Sequence, residues 1–358
     1  DIERLTDITI SANWMCASDE KTELPELYSM VEAIGLSLCP KLGINIPVGK
    51  DSMSMKAVWE KEGGIGVHKT ISPTTLICTG TSKVKDTRKT LSPYLTRQKD
   101  TILLLIDLGL SKNRLGGSIL DQVSEESFGE APDVDEIESL IELFNVVKML
   151  RSQDLILAYH DRSDGGLFTT VAEMAFGGRT GVSLEIPGTF SITSFLMNEE
   201  IGVVIQVEKA KMEQITNILN SQKIIRDHFY IIGSVRNDKK IAIRHEKKNL
   251  TFQLQDLLKV YSETTISIQK IRDNSVTAEE ELENILDINN PGLFFDRPPP
   301  LSKFSITSKK RPKLGILREQ GVNGQNEMAA AFTMAGFDCI DIHMQDLMDQ
   351  IDLLKKLN

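Results

Sequence analysis

From residue 101 to residue 235, runs with strand character alternate with runs of helical character, and this alternation constrains the fold more than any other feature. "TILLLIDLG" (101–109) is an apolar strand that ends in Asp107 and Gly109. Residues 134–153 follow as helix, then "LILAYHD" as strand, "LFTTVAEMAFG" as helix, "EIGVVIQV" as strand, "KAKMEQITNIL" as an amphipathic helix and "HFYIIGSV" as strand. Strands that alternate with helices predict an α/β layer fold.

The flanks are less regular. Residues 1–40 read as helix, with Leu27, Met30, Val31, Ile34 and Leu38 at a spacing of three and four, ended by Pro40 and Gly43. "INIPVGKDSMSMK" reads as a short strand running into a glycine-led turn, and "TTLICTGTSKV" as a buried strand. "DTRKTLSPYLTRQKD" (86–100) is polar and reads as a linker. Residues 262–310 mix charge with a proline cluster and have little periodicity, which suggests a linker wrapped on a surface. From residue 311 the pattern is strand, Gly/Asn loop, helix, strand, the opening of a doubly wound sheet that stops after 48 residues.

A chain of 358 residues has room for one large or two to three ordinary domains. The net charge of -10 argues against a nucleic-acid or anionic-membrane partner, since both favour a basic surface. It leaves room for a small phosphorylated ligand. Cys16, Cys39, Cys78 and Cys339 form no CxxC pair, which fits a reduced, cytoplasmic protein. No apolar run approaches the ~20 residues of a membrane helix. The chain opens on "DIERLTD" without a methionine and reads as a piece of a longer protein.

The stretch "YHDRSDGG" (159–166) carries the chemistry. It joins a strand to a helix, where backbone N–H groups and the helix dipole favour phosphate. Asp161 offers a hard oxygen for Mg²⁺, Ser163 a hydroxyl for metal or phosphate, and Gly165 and Gly166 a backbone that a ligand can approach. Asp164 could instead cap the helix, and the plain alternative is a capped turn with a solvated His160. Lys50, Asp51 and Ser52 follow a glycine at a strand end, either a phosphate contact or an exposed polar turn; GKDS lacks the ending of a Walker A loop. "LGGS" (115–118) is a weaker glycine loop, and Glu199 and Glu200 of "NEE" could serve a metal or amine or simply solvate a turn. "LREQGVNGQNEM" (317–328) has Gly321 and Gly324 but no GxGxxG, so dinucleotide binding is not expected. His68, His228, His245 and His343 show no metal-ligand spacing.

Read together and in order, "ISANWM" (10–15), "IPVGKDSMSMK" (46–56), "YHDRSDGGL" (159–167), "NEEIGVVIQV" (198–207), "RDN" (272–274) and "RPKLGILREQGVNGQNEMAAAFTMAGFDCIDIHMQDL" (311–347) resemble the large, single-chain phosphoribosylformylglycinamidine synthases. The resemblance implies two related synthetase halves of the aminoimidazole ribonucleotide synthetase type, then a class I glutaminase domain. It implies that this chain covers most of the second half and the start of the glutaminase: 1–98 the end of a first subdomain, 99–260 a second subdomain, 261–310 a linker, 311–358 a truncated glutaminase. The partners implied are the missing first half and the rest of the glutaminase, and the small molecules ATP, glutamine and formylglycinamide ribonucleotide. Asp161 and Ser163 would contact ATP or ADP and Mg²⁺, and in the family the second half holds its nucleotide for structure more than for turnover. The other metal ligands would lie upstream of residue 1 and the nucleophilic cysteine beyond residue 358. Cys339 is not a candidate for it, and the fragment alone is expected to be inactive. The competing expectation is a stand-alone aminoimidazole ribonucleotide synthetase-like enzyme.

Overall fold

The computed structural model describes all residues except 1, 62, 65, 99, 125, 288, 291–309 and 358. The chain divides into two units, 1–290 and 291–358.

The first unit opens with a three-stranded sheet in the order β2-β1-β5. β1 (Thr9–Met15) pairs in parallel with β2 (Asn45–Ser52) and antiparallel with β5 (Thr75–Thr81). The sequence reading of 1–40 as helix is corrected here, because β1 occupies Thr9–Met15 and the first α-helix is α1 (Glu23–Glu32). "ITISANWM" alternates poorly, yet it is the central strand and hydrogen-bonds to both neighbours. A wide π turn (Ala33–Leu38) links α1 to α2 (Cys39–Leu42), which stops at Gly43 in the left-handed conformation, φ 66. Gly49, Lys50 and Asp51 lie within β2 and not in a turn, opposite Ala12, Asn13 and Trp14. A hairpin of β3 (Lys56–Glu60) and β4 (Val67–Ile71) follows.

A seven-stranded sheet forms the rest of this unit, ordered β12-β11-β8-β10-β6-β9-β7. Its strands are β6 (Thr101–Asp107), β7 (Ala158–Asp161), β8 (Gly181–Glu185), β9 (Gly202–Glu208), β10 (Phe229–Arg236), β11 (Lys240–His245) and β12 (Lys248–Gln253). The helices between are α3 (Ile119–Val123), α4 (Ile137–Ser152), α5 (Gly166–Gly178), α6 (Ile192–Met197) and α7 (Met212–Asn220). The apolar run of β6 has a simple cause. Leu103 and Leu105 point into one core with Met174 and Val171 of α5, while Leu104 and Ile106 point into a second core with Val146 and Leu150 of α4. A strand covered on both faces needs apolar residues at successive positions. Each leucine so buried contributes about 1.5–3 kcal/mol. Gln206 is buried in β9 because its amide is fully used: it accepts from the Thr96 N–H at 2.8 Å and donates to Thr96 O and Thr101 Oγ1, both at 2.9 Å.

Residues 254–286, of which 262–286 fall in the linker reading, correct it. They form α8 (Leu254–Arg272) and α9 (Ser275–Leu286), with Asn274 Oδ1 accepting from the Val276 and Thr277 amides between them. Tyr261 of α8 donates to Glu173 Oε1 of α5 at 2.8 Å, and Arg179 Nη1 reaches Asp287 O at 2.8 Å, so the helices are docked on the large-sheet layer. Their charge-rich faces hid a 19-residue helix that buries only Leu254 and Ile266. The proline cluster of that reading lies outside the described residues.

The second unit is a βαβ turn. β13 (Lys313–Arg318) and β14 (Asp338–His343) pair in parallel around α10 (Gln325–Met334), with α11 (Met344–Asp349) and a 3-10 turn after them. Cys339 sits in β14, as a strand residue. The mixed α/β class expected from the alternation stands. Among the described residues no helix is long and apolar enough to cross a membrane.

Candidate functional site

β9 runs antiparallel to both β6 and β7, so its first residues meet the last residues of those strands. Three connections therefore converge at one end of the large sheet: 108–118 after β6, 162–165 after β7, and 198–201 before β9.

Asp161 closes β7 with its side chain exposed, and Tyr159 donates its hydroxyl to Asp161 Oδ1 at 2.7 Å. Burial, together with that carboxylate, pushes the Tyr159 phenol far above its ordinary range and keeps it a donor. Ser163 is exposed and donates to Asp161 O at 3.0 Å. Gly165 is the N-cap of α5 at φ 80, and Gly166 its first residue at φ 71; both values favour glycine. The space at Gly166 is used by the protein itself. A Cβ there would lie 2.6 Å from Asn198 O and 2.7 Å from Leu196 O. Its N–H donates to Ser163 O at 2.9 Å, while the Gly165 N–H donates to Glu199 Oε1 at 2.7 Å. Asp164 is exposed, and the cap position belongs to Gly165 without a side-chain cap bond. His160 is not a solvated turn residue, since its Nε2 lies 3.0 Å from Glu173 Oε2 and its Nδ1 2.7 Å from Asp161 O.

The acids of "NEE" do not solvate a turn. Glu200 is fully buried and receives Arg114 as a fork, Nε to Oε1 at 2.7 Å and Nη2 to Oε2 at 2.8 Å, with the Arg114 N–H on Oε1 at 3.0 Å. Arg114 Nη2 also meets Asp135 Oδ2 at 2.9 Å. The Glu200 hydrogen bonds, with the nearby charge of Asp135, push the guanidinium further above its ordinary range. A second pair lies beneath. Arg162 donates from Nη2 to Asp107 Oδ1 and to Ile201 O, and from Nε to Glu200 O. Asp107 also accepts the Gly109 N–H at 3.2 Å and the Ser111 N–H at 2.8 Å.

The LGGS loop joins from the other side. Gly116 abuts the 129–130 backbone, Gly117 takes φ 71, and Ser118 caps α3. Lys50, Asp51 and Ser52 are not brought in: among the described residues no hydrogen bond or ion pair links them to 159–166.

Asp107, Arg114 and Arg162 were not singled out as site residues from the sequence. The signal that could have found them is an apolar strand whose last residue is acidic, facing an arginine inside a loop of acids. A buried carboxylate needs a partner. For Mg²⁺ the loop after β7 offers the exposed carboxylate of Asp161, while Asp107 and Glu200 are held by arginines. Among the described residues no group of three or more His, Cys, Asp or Glu could hold a metal. One carboxylate is still a fit for magnesium that arrives with a nucleotide, whose phosphates and waters fill the remaining positions.

Family models match three segments in order. These are an FGAR-AT PurM_N-like domain over 1–83, an AIR synthase related protein C-terminal domain over 99–246, and a CobB/CobQ-like glutamine amidotransferase domain over 311–358. Among solved structures, T. maritima PurL complexed with ATP is similar at 10% identity and a TM-score of 0.46, over 70% of this chain and 37% of that chain. E. coli HypE, a hydrogenase maturation protein, is similar at 17% identity and a TM-score of 0.46, over 69% of this chain and 73% of that one. This chain thus spans little more than a third of the PurL length. A synthetase-type domain pair followed by an amidotransferase domain defines the class. Within it, the three matched domains in this order support a phosphoribosylformylglycinamidine synthase-type arrangement.

Proposed function

We propose that this chain is part of an ATP- and glutamine-dependent amidotransferase that converts formylglycinamide ribonucleotide to the amidine in purine biosynthesis. Its share is a nucleotide site at the 159–166 loop. The convergence of three connections on one sheet end carries the reading, with Asp161 and Ser163 exposed at the rim and Gly165 and Gly166 shaping the turn into α5. Ser163 would donate to a phosphate oxygen and the Gly165 N–H would face it. Asp161, oriented by Tyr159, would hold one position of an accompanying Mg²⁺. The ion, when bound, neutralises phosphate oxygens. The domain assignments made from the sequence, with 1–98, 99–260 and 311–358 as separate pieces, belong to this proposal.

A second reading has its own support. Glu200 and Asp107 are committed to Arg114 and Arg162, so these two acids are not free to handle a substrate amine. That favours a half that holds a nucleotide for structure and does not turn it over. Labelled ATP given to the full-length synthase separates the two, because hydrolysis at this site rejects the scaffold.

The test of the site is thermal. ADP with Mg²⁺ at about a hundredfold excess over its Kd stabilises the chain by about 2.7 kcal/mol. Asp161→Asn removes most of that gain. Equal protection of variant and wild type rejects the assignment.

A further inference from the structure

The three residues Asn198, Glu199 and Glu200 enter the site side by side, but they are held very differently. Asn198 is fully buried and donates from Nδ2 to Ser194 O at 2.6 Å, Asn113 Oδ1 at 3.0 Å and Phe195 O at 3.2 Å. Glu200 is fully buried and clasped by Arg114. Glu199, between two fixed neighbours, is only half-buried. Among the described residues no lysine or arginine pairs with it. Its contacts are two backbone amides from two different loops, both on one oxygen. The Gly165 N–H donates to Oε1 at 2.7 Å, and the Ile119 N–H donates to the same atom at 2.9 Å.

We propose that Glu199 is a latch. Its carboxylate joins the 162–166 loop to the 115–119 loop and occupies the Gly165 amide that a ligand phosphate would otherwise take. The proposal rests on the nucleotide reading above.

Three observations support it. The Gly166 N–H is already turned back to Ser163 O, so of the two glycine amides only that of Gly165 is freed by moving a side chain. The side chains on either side of Glu199 are held, Asn198 by Asn113 and Phe195 and Glu200 by Arg114, so release takes rotation of the Glu199 side chain between two fixed neighbours. Finally, carboxylate and phosphate are alternative acceptors for the same N–H groups, and both are anionic. A ligand must therefore displace Glu199 and also overcome its charge. The latch lowers affinity for phosphate ligands and keeps the two glycine loops closed in their absence.

The test uses the whole 358-residue chain, titrated calorimetrically with ADP in Mg²⁺ buffer. Glu199→Ala is expected to bind ADP about tenfold more tightly than wild type, the factor that accompanies the loss of ~1.4 kcal/mol of competition. Glu199→Gln keeps an acceptor oxygen but loses the charge, and falls between the two. Without ligand, hydrogen exchange at Gly165 and Ile119 is faster in Glu199→Ala, and ADP restores protection at Gly165. If both Glu199 variants bind like wild type or more weakly while Asp161→Asn loses affinity, the latch is wrong and the nucleotide site stands. If ADP binds none of these proteins, the site reading fails and the latch goes with it. Should Glu199→Ala not fold, Glu199→Gln decides: tighter binding supports the latch and unchanged binding overturns it.

Discussion

Replacing Arg162 by methionine should unfold the site end of the large sheet. The Arg162 and Asp107 side chains are 1% and 3% exposed, so neither charge has water to fall back on. Methionine keeps most of the volume and removes the donors to Asp107 Oδ1, Ile201 O and Glu200 O. Asp107 is left with two backbone amides and no counter-charge. Breaking a buried pair from one side costs about 3–5 kcal/mol. That is at least about a fifth of the ~5–15 kcal/mol typical of a folded domain. The double variant Arg162→Met/Asp107→Leu removes the stranded charge, but it orphans the Gly109 and Ser111 amides. Recovery should be partial, with about half of the loss regained, as each buried unsatisfied donor costs about 1–3 kcal/mol. Urea unfolding followed by far-UV circular dichroism gives the free energies, and hydrogen exchange at Gly109 and Ser111 locates the damage. A cost below about 1 kcal/mol for Arg162→Met, in the range of an exposed pair, would refute the claim that this buried pair holds the site end of the large sheet.

Two further outcomes follow from the same geometry. The hydrogen bond from Lys112 and the charge of Arg114 hold Asp135 below its ordinary value of 3.8. Its contribution is therefore complete above that value and lost as the pH falls through the lower, folded one. Wild type should melt higher than Asp135→Asn near neutral pH, and the gap should close only below about pH 4; a gap that closes at pH 6 contradicts this. Asn274→Ala removes the acceptor for the Val276 and Thr277 amides at the start of α9, at a cost of about 1 kcal/mol, and should speed exchange at both. Unchanged exchange there would mean that the cap does not hold α9.

Much of the layer was legible in the sequence because burial on two faces leaves a plain mark. "TILLLID" and "IGVVIQV" read as strands and lie adjacent as β6 and β9. "ITISANWM" failed because its register is fixed by hydrogen bonds to β2 and β5, whose sequence positions lie tens of residues away. The helices over 254–286 failed because they dock through few buried side chains, and a mostly solvated helix carries little apolar period.

The alternation of strands and helices, the motifs and the loop where Asp161, Ser163, Gly165 and Gly166 stand are all visible in the order of the amino acids. That order also places Glu199 and Glu200 next to each other. The folded chain gives these two neighbours different roles, one clasped by Arg114 and the other resting on the amides of Gly165 and Ile119. It also brings Asp107 to Arg162, 55 positions away. The physical reason is that a carboxylate's role is set by the donors that surround it. At this sheet end those donors arrive from three separate connections, brought together by the antiparallel course of β9.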